Sequence, residues 1–180
     1  MRGAALAGAG IDRSTADHMG MLGTLMNSLA LADVLNDRGV PASVLSAVPC
    51  AAGAEPYGRG PAMTALRQGR VALLAGGTGN PYFTTDTAAS LRAVEIGADV
   101  LAKGTKVGGV YDRDPALHPG AKLFAAVSYD QVLAERLAVM DATAVAMCRE
   151  NALRVLVFGL GERGVMARVA RGETPGTLMS

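Results

Sequence analysis

Apolar runs and apolar periodicities alternate along most of this chain. Over 17–38, Met21, Leu22, Leu25, Leu29, Ala32 and Leu35 recur at three- and four-residue steps. That spacing predicts a long helix, with Ser14, Thr15 or Asp17 to cap it and Gly39 to end it. Residues 40–48 and 70–75 are short apolar runs that read as strands, and 62–68 reads as a short helix between them. A helix over 87–97 ends in glycine, and 98–103 is the next strand. Further on, 122–127 is a short strand, and Ser128 opens a helix with Gln131 as a capping-box partner. Asp141 caps a helix that runs to 151; 154–158 is a β-branched strand, 164–171 a short helix and 176–180 a terminal strand or tail. Residues 1–13 carry small side chains without a period and read as loop. The strands are apolar throughout rather than alternating, and helices separate them. That is the pattern of a mostly parallel sheet covered on both faces, hence an α/β fold.

Composition narrows the function classes. The 180 residues suffice for one domain with a core, and no repeat or linker divides them. Half are hydrophobic and 18% are charged, which excludes a disordered chain. A net charge of +1 and 4% aromatics, none of them Trp, argue against a nucleic-acid surface. Cys50 and Cys148 stand far apart, so reduced thiols of a cytoplasmic protein are expected rather than a disulfide scaffold or thiolate metal site. No basic stretch leads into an apolar leader, and no run is long enough to cross a bilayer.

Candidate chemistry centres on 76–86, Gly-Gly-Thr-Gly-Asn-Pro-Tyr-Phe-Thr-Thr-Asp, which joins a strand to a helix. Glycines at 76, 77 and 79 let backbone amides approach a ligand, and the helix start favours an anion such as phosphate. Thr84 and Thr85 add hydroxyls and Asp86 a carboxylate. The spacing matches neither the dinucleotide nor the phosphate-loop pattern, so a plain strand–helix turn is the alternative. The polar loop over 104–120 has a length more typical of functional loops than of idle ones. Phosphate chemistry needs cations, for which Arg2, Lys103 and Lys106 are candidates. It also needs groups to hold metal-bound water or a ribose hydroxyl, for which Asp17, Asp86, Asp114 and Asp141 are candidates. Helix capping is the alternative for Asp17 and Asp141, solvated charge for the lysines, and a plain turn for Tyr111 and the Asp112-Arg-Asp-Pro115 that follows. His18 and His118 are isolated from cysteines and from each other, which is no metal-ligand pattern, and Met19, Met21 and Met26 read as core or interface filling.

Taken together, five segments carry a resemblance. They are Asp17-His-Met-Gly-Met-Leu22; Met26-Asn27; Gly77-Thr-Gly-Asn-Pro-Tyr-Phe-Thr-Thr-Asp86; Lys103-Gly-Thr-Lys-Val-Gly-Gly-Val-Tyr-Asp-Arg-Asp-Pro115; and Val139-Met-Asp141. In this order, and with the Gly172-Glu-Thr-Pro-Gly-Thr-Leu178 end, the chain closely resembles the bacterial uridylate kinases of the amino acid kinase superfamily. The resemblance implies one three-layer αβα sandwich over 1–180, and transfer of the γ-phosphoryl group of ATP to UMP with Mg²⁺ in pyrimidine nucleotide biosynthesis. It implies that UMP is held by Asp17, at the ribose, and by Thr78, Gly79, Asn80, Pro81, Tyr82, Phe83, Thr84 and Thr85. Thr105, Tyr111 and Asp114 match ATP-binding positions, Arg2 matches an arginine beside the ATP phosphates, and Asp141 matches an aspartate near the transferring group. A homohexamer, GTP activation and UTP inhibition are implied as well. The family's opening Lys-Leu-Ser-Gly-Glu segment and triple glycine have no counterpart in this sequence, which starts inside that glycine loop, and Gly108 stands where an aspartate is usual. The other expectation kept beside the kinase is a nucleotide-binding protein that retains the UMP or UTP pocket without transferring phosphate.

Overall fold

The computed structural model describes residues 10–51 and 53–180. Arg2 lies outside the described residues. Contacts gather into two compact units, one running to Ala88 and the other from Ala89 to Ser180.

In the first unit, α1 (Arg13–Asp37) is followed by β1 (Ala42–Ser46), β2 (Glu55–Pro56), α2 (Arg59–Arg67) and β3 (Val71–Ala75). The strand order is β2-β1-β3, all parallel, with Ala42 beside Val71 and Ser46 beside Ala75. Leu25 and Ala32 of α1 pack with Ala42, Val44 and Ala75, flanked by Leu29, Leu35 and Leu73. The buried stripe thus keeps the 21, 25, 32 positions of the predicted period, whereas Leu22, one residue off that face, is 51% exposed. The helix also starts earlier than its apolar pattern. Asp12 is the cap, its Oδ1 accepting from Ser14 N at 2.9 Å and Thr15 N at 3.2 Å, so neither Ser14, Thr15 nor Asp17 serves as the cap.

α3 (Thr85–Ile96) precedes β4 (Val100–Thr105), β5 (Ala126–Val127), α4 (Tyr129–Ala134), α5 (Ala142–Glu150), β6 (Arg154–Gly159), α6 (Val165–Ala170) and β7 (Thr177–Met179). The second unit's sheet runs β4-β6-β7-β5, parallel except for the β6–β7 pair. β6 explains why its sequence is continuously apolar. Val155 and Val157 face one cluster with Val127, Val145, Cys148 and Met179, while Leu156 and Phe158 face a second with Val165. Both faces of the strand are buried, as an α/β sheet requires.

Ser128 caps α4 by accepting from Gln131 N at 3.1 Å, but the Gln131 side chain turns away to Glu135 at 3.0 Å, so no reciprocal capping box forms. β5 is shorter than predicted because Leu123, with a bridge to Tyr111, serves the long loop instead of the sheet. Cys148 is buried with its thiol pushed up by burial and its Sγ 3.2 Å from Ser90 Oγ, and Cys50 is half-buried; neither is in a disulfide. No described helix is long and apolar enough to cross a membrane.

Candidate functional site

The glycine turn belongs to the first unit and is built from α1 as much as from its own residues. Thr24 of α1 accepts the Gly76 amide at 2.9 Å on its hydroxyl, which in turn donates to Met21 O at 2.7 Å. Gly76 and Gly79 have φ of +78° and +82°, a region that L side chains avoid. A Cβ at Gly79 would also meet Ala47 O at 2.9 Å, so this backbone lies directly against the segment after β1. Gly79 N donates to Gly76 O at 2.9 Å, and Asn80 N donates to Thr78 Oγ1 at 3.1 Å.

Asp17 closes the turn. Its Oδ2 accepts from Tyr82 N at 2.9 Å and from Arg13 Nε at 2.8 Å. The Tyr82 amide first, and then Arg13, hold the Asp17 carboxyl below its ordinary range, so it is ionised at neutral pH. Oδ1 has no protein donor among the described residues. Tyr82 itself sits at φ +70°, uncommon for a side-chain-bearing residue, with the Arg13 guanidinium 5.8 Å from its ring centroid. Tyr82 and Phe83 are 67% and 53% exposed, although both are large and apolar. Four amides of the run, at 76, 79, 80 and 82, are therefore already bonded within the protein. At the helix end, Thr84 Oγ1 accepts from Thr87 N at 3.1 Å and donates to Thr87 Oγ1 at 3.4 Å, while Thr85, the exposed first residue of α3, makes no described hydrogen bond through its amide or hydroxyl. Pro81 adds no donor and fixes the chain just before the strained tyrosine.

The long loop belongs to the second unit. Thr105 ends β4, and its hydroxyl donates to Val107 O at 2.6 Å while accepting from Val107 N at 3.1 Å. Tyr111 bridges Leu123, and Asp112 Oδ1 accepts from Lys122 N at 2.8 Å, which draws the Asp112 carboxyl below its ordinary range. Asp114 is exposed and caps a local turn by accepting from Ala116 N at 2.8 Å. Asp141 is the N-cap of α5, accepting from Ala144 N at 3.1 Å. Lys103 donates to Val139 O at 2.7 Å, just before Met140 and Asp141. Thr105, Tyr111 and Asp114 thus share one loop, and Asp17 joins the 78–85 run, as the sequence places them. Arg13 and Thr24 are additions. Arg13 was readable as the i−4 charge partner of Asp17, whereas nothing in the local sequence marks Thr24.

Comparison with known proteins gives these features relatives. A family model described as the amino acid kinase family matches residues 2–159. A uridylate kinase of Azorhizobium caulinodans is 51% identical over 180 residues, covering all of this chain and 76% of that protein. One from Legionella pneumophila (strain Paris) is 49% identical, covering 99% of this chain and 72% of that protein. Among solved structures, the UMP kinase from Bacillus anthracis matches with a TM-score of 0.94 at 37% identity, covering 100% of this chain and 75% of that one. The UMP kinase from Ureaplasma parvum matches with a TM-score of 0.93 at 36% identity, covering 99% and 77%. The α/β fold read from the sequence, with parallel-dominated sheets, is the fold these likenesses support.

Proposed function

This chain belongs to the amino acid kinase family, among its uridylate kinases, and we propose that it transfers the γ-phosphoryl group of ATP to UMP. An oxygen of the UMP phosphate bonds to the γ-phosphorus, the bond to the β–γ bridging oxygen breaks, and UDP and ADP leave. One observation carries the reading: Asp17, beside the 78–85 run, has Oδ2 fixed by the Tyr82 amide while Oδ1 takes no donor from the described residues. A carboxylate locked on one oxygen and without a protein donor on the other is a rigid, charged acceptor for a ribose hydroxyl. Thr85, at the start of α3, offers an amide and a hydroxyl for the phosphate.

On the donor side, Thr105, Tyr111 and Asp114 would hold ATP, with Arg2 beside its phosphates and Asp141 near the transferring group. The described residues gather no cluster of three His, Cys, Asp or Glu that would cage a metal. That donor set suits Mg²⁺ carried by the triphosphate and water rather than by a protein cage. When bound, Mg²⁺ would supply charge neutralisation on the β- and γ-phosphates. The protein's own part is positioning and charge stabilisation. Work in the cytoplasm within pyrimidine nucleotide synthesis, GTP activation, UTP inhibition and a hexameric assembly belong to the same proposal.

A coupled assay of ADP release tests it. Release is expected only when ATP and UMP are both present. Asp17→Asn is expected to weaken calorimetric UMP affinity about tenfold, the order associated with losing one charged hydrogen bond. ADP release indifferent to UMP overturns the kinase reading; UMP binding without release overturns transfer and leaves a nucleotide-binding protein.

A further inference from the structure

The loop over 106–125 is long enough to wander, yet both of its limbs are fastened at one buried atom. Thr177, the first residue of β7, is 0% exposed. Its hydroxyl accepts from Val110 N at 2.9 Å and donates to Phe124 O. Val110 stands on the outgoing limb and Phe124 on the returning one, and Phe124 N donates to Val110 O at 2.9 Å. A single hydroxyl therefore joins the two limbs to each other and to the sheet.

Glycines on both sides leave this junction no slack. A Cβ on Gly176 would lie 2.9 Å from Gly108 O, and one on Gly109 would run into the Thr177 hydroxyl. A Cβ on Gly159 would lie 3.1 Å from Val107 O. The stretch from Val107 to Val110 thus lies flat on the end of β6 and the start of β7, and Tyr111 follows directly from the clasped Val110.

We infer that Thr177 is a positioning residue for the ATP-binding loop, setting Tyr111 and Asp114 by clasping Val110 and Phe124. This rests on the reading of that loop as the ATP-binding one. Thr177 touches no expected substrate; it acts through the two backbone groups. Its chemistry for the task is specific. Only a small hydroxyl both accepts an N–H and donates to a carbonyl within this space. Valine keeps the shape and leaves both backbone groups unpaired.

The test uses the full chain with Thr177→Val and Thr177→Ser. Two readouts are taken: hydrogen exchange of the 105–125 segment, and affinity for a non-hydrolysable ATP analogue beside affinity for UMP. In Thr177→Val, loop exchange is expected to accelerate and analogue affinity to fall, each about tenfold, as for a buried amide left unpaired. UMP affinity is expected to hold within about twofold, and Thr177→Ser is expected to restore both readouts. Thr177→Ala, which deletes the hydroxyl without adding bulk, replaces the valine variant if that fails to fold. Exchange and analogue affinity both unchanged overturn the clasp. Faster exchange with unchanged analogue affinity overturns the positioning role. If the unsubstituted chain binds UMP but no ATP analogue, the ATP assignment of the loop falls and this inference falls with it, while the exchange readout still reports the clasp itself.

Discussion

The turn at 76–86 and the loop over 106–125 both depend on glycine, for different reasons. In the turn, Gly76, Gly77 and Gly79 all have positive φ, so the need is conformational first, and at Gly76 and Gly79 clearance from the backbone of Ala47 and Val48 adds to it. In the loop, Gly108 and Gly109 are not among the residues with positive φ. Gly109 is small because Thr177 lies against it, and Gly159 and Gly176 are small because Val107 and Gly108 lie against them. Conformational glycines announce themselves in a short window beside Asn, Pro and Thr. Clearance glycines answer to a segment far away in the chain, later for Gly109 and earlier for Gly159 and Gly176, and nothing nearby in sequence says so.

The sharpest way to break this comparison is Gly176→Val. Its side chain would press on Val157 O, Gly108 O and Phe158 Cα, and backbone atoms cannot swing aside as a flexible side chain would. Overpacking of this kind costs about 3 kcal/mol, which for a chain of this size lowers Tm by roughly 10 °C. Calorimetric melting checks it, and a variant as stable as the original would show that the loop is not seated on β7. Gly79→Ala is the matching change in the turn. The alanine would take φ near +82°, at about 1–2 kcal/mol, with its Cβ 2.9 Å from Ala47 O. A smaller melting shift is expected than for Gly176→Val, together with weaker UMP binding and unchanged affinity for the ATP analogue. Equal loss of both nucleotides would erase the distinction between the two features.

The same division explains what the sequence made legible. The cap at Asp141, the cap at Ser128, the apolar strand over 154–158 and the strand–turn–helix at 70–97 are all set by neighbours in the chain, and the structure has them close to where the pattern puts them. The start of α1 was displaced because three residues near it, Ser14, Thr15 and Asp17, can all cap, and Asp12 does. That displacement matters to the site. Asp12 satisfies the helix start, which leaves Asp17, one turn in, to bind Tyr82 N. Thr24 and Thr177 were illegible because each acts on backbone far from it in the chain, Gly76 and Val110. A threonine inside a helix or at a strand start carries no mark of such a task. The two-residue strand β2 escaped because its window holds a proline and only its pairing with β1 defines it. The family's segments suggest which residues to expect at the site, but they do not say how four of the turn's amides are used.

The smallest expected effect reverses the comparison. Each feature is closed by a carboxylate that accepts a backbone amide, but here the turn uses the distant partner and the loop the near one. Asp17 accepts from Tyr82 across 65 positions, and Asp112 accepts from Lys122 across 10. Both carboxyls are held below the ordinary value of 3.8, each chiefly by that amide. In the window below that value the folded chain binds fewer protons at these groups than the unfolded chain does, so each contribution is complete above the ordinary value and is lost as pH falls through the folded one. The stability difference between the original and Asp17→Asn is therefore expected to stay flat from about pH 7 to about pH 5 and to shrink below about pH 4. The difference for Asp112→Asn is expected to follow the same course. Denaturant melts across that range measure both, and groups present in both members of a pair cancel. The two should part in what else they change. Asp17→Asn is expected to weaken UMP binding, because Oδ1 takes no donor from the described residues and is proposed to meet the ligand, whereas Asp112→Asn is expected to loosen the hairpin between Tyr111 and Leu123. A stability difference for either variant that slopes between pH 5 and 7 would mean that some other group titrates with it, and the amide would no longer account for the depressed carboxyl.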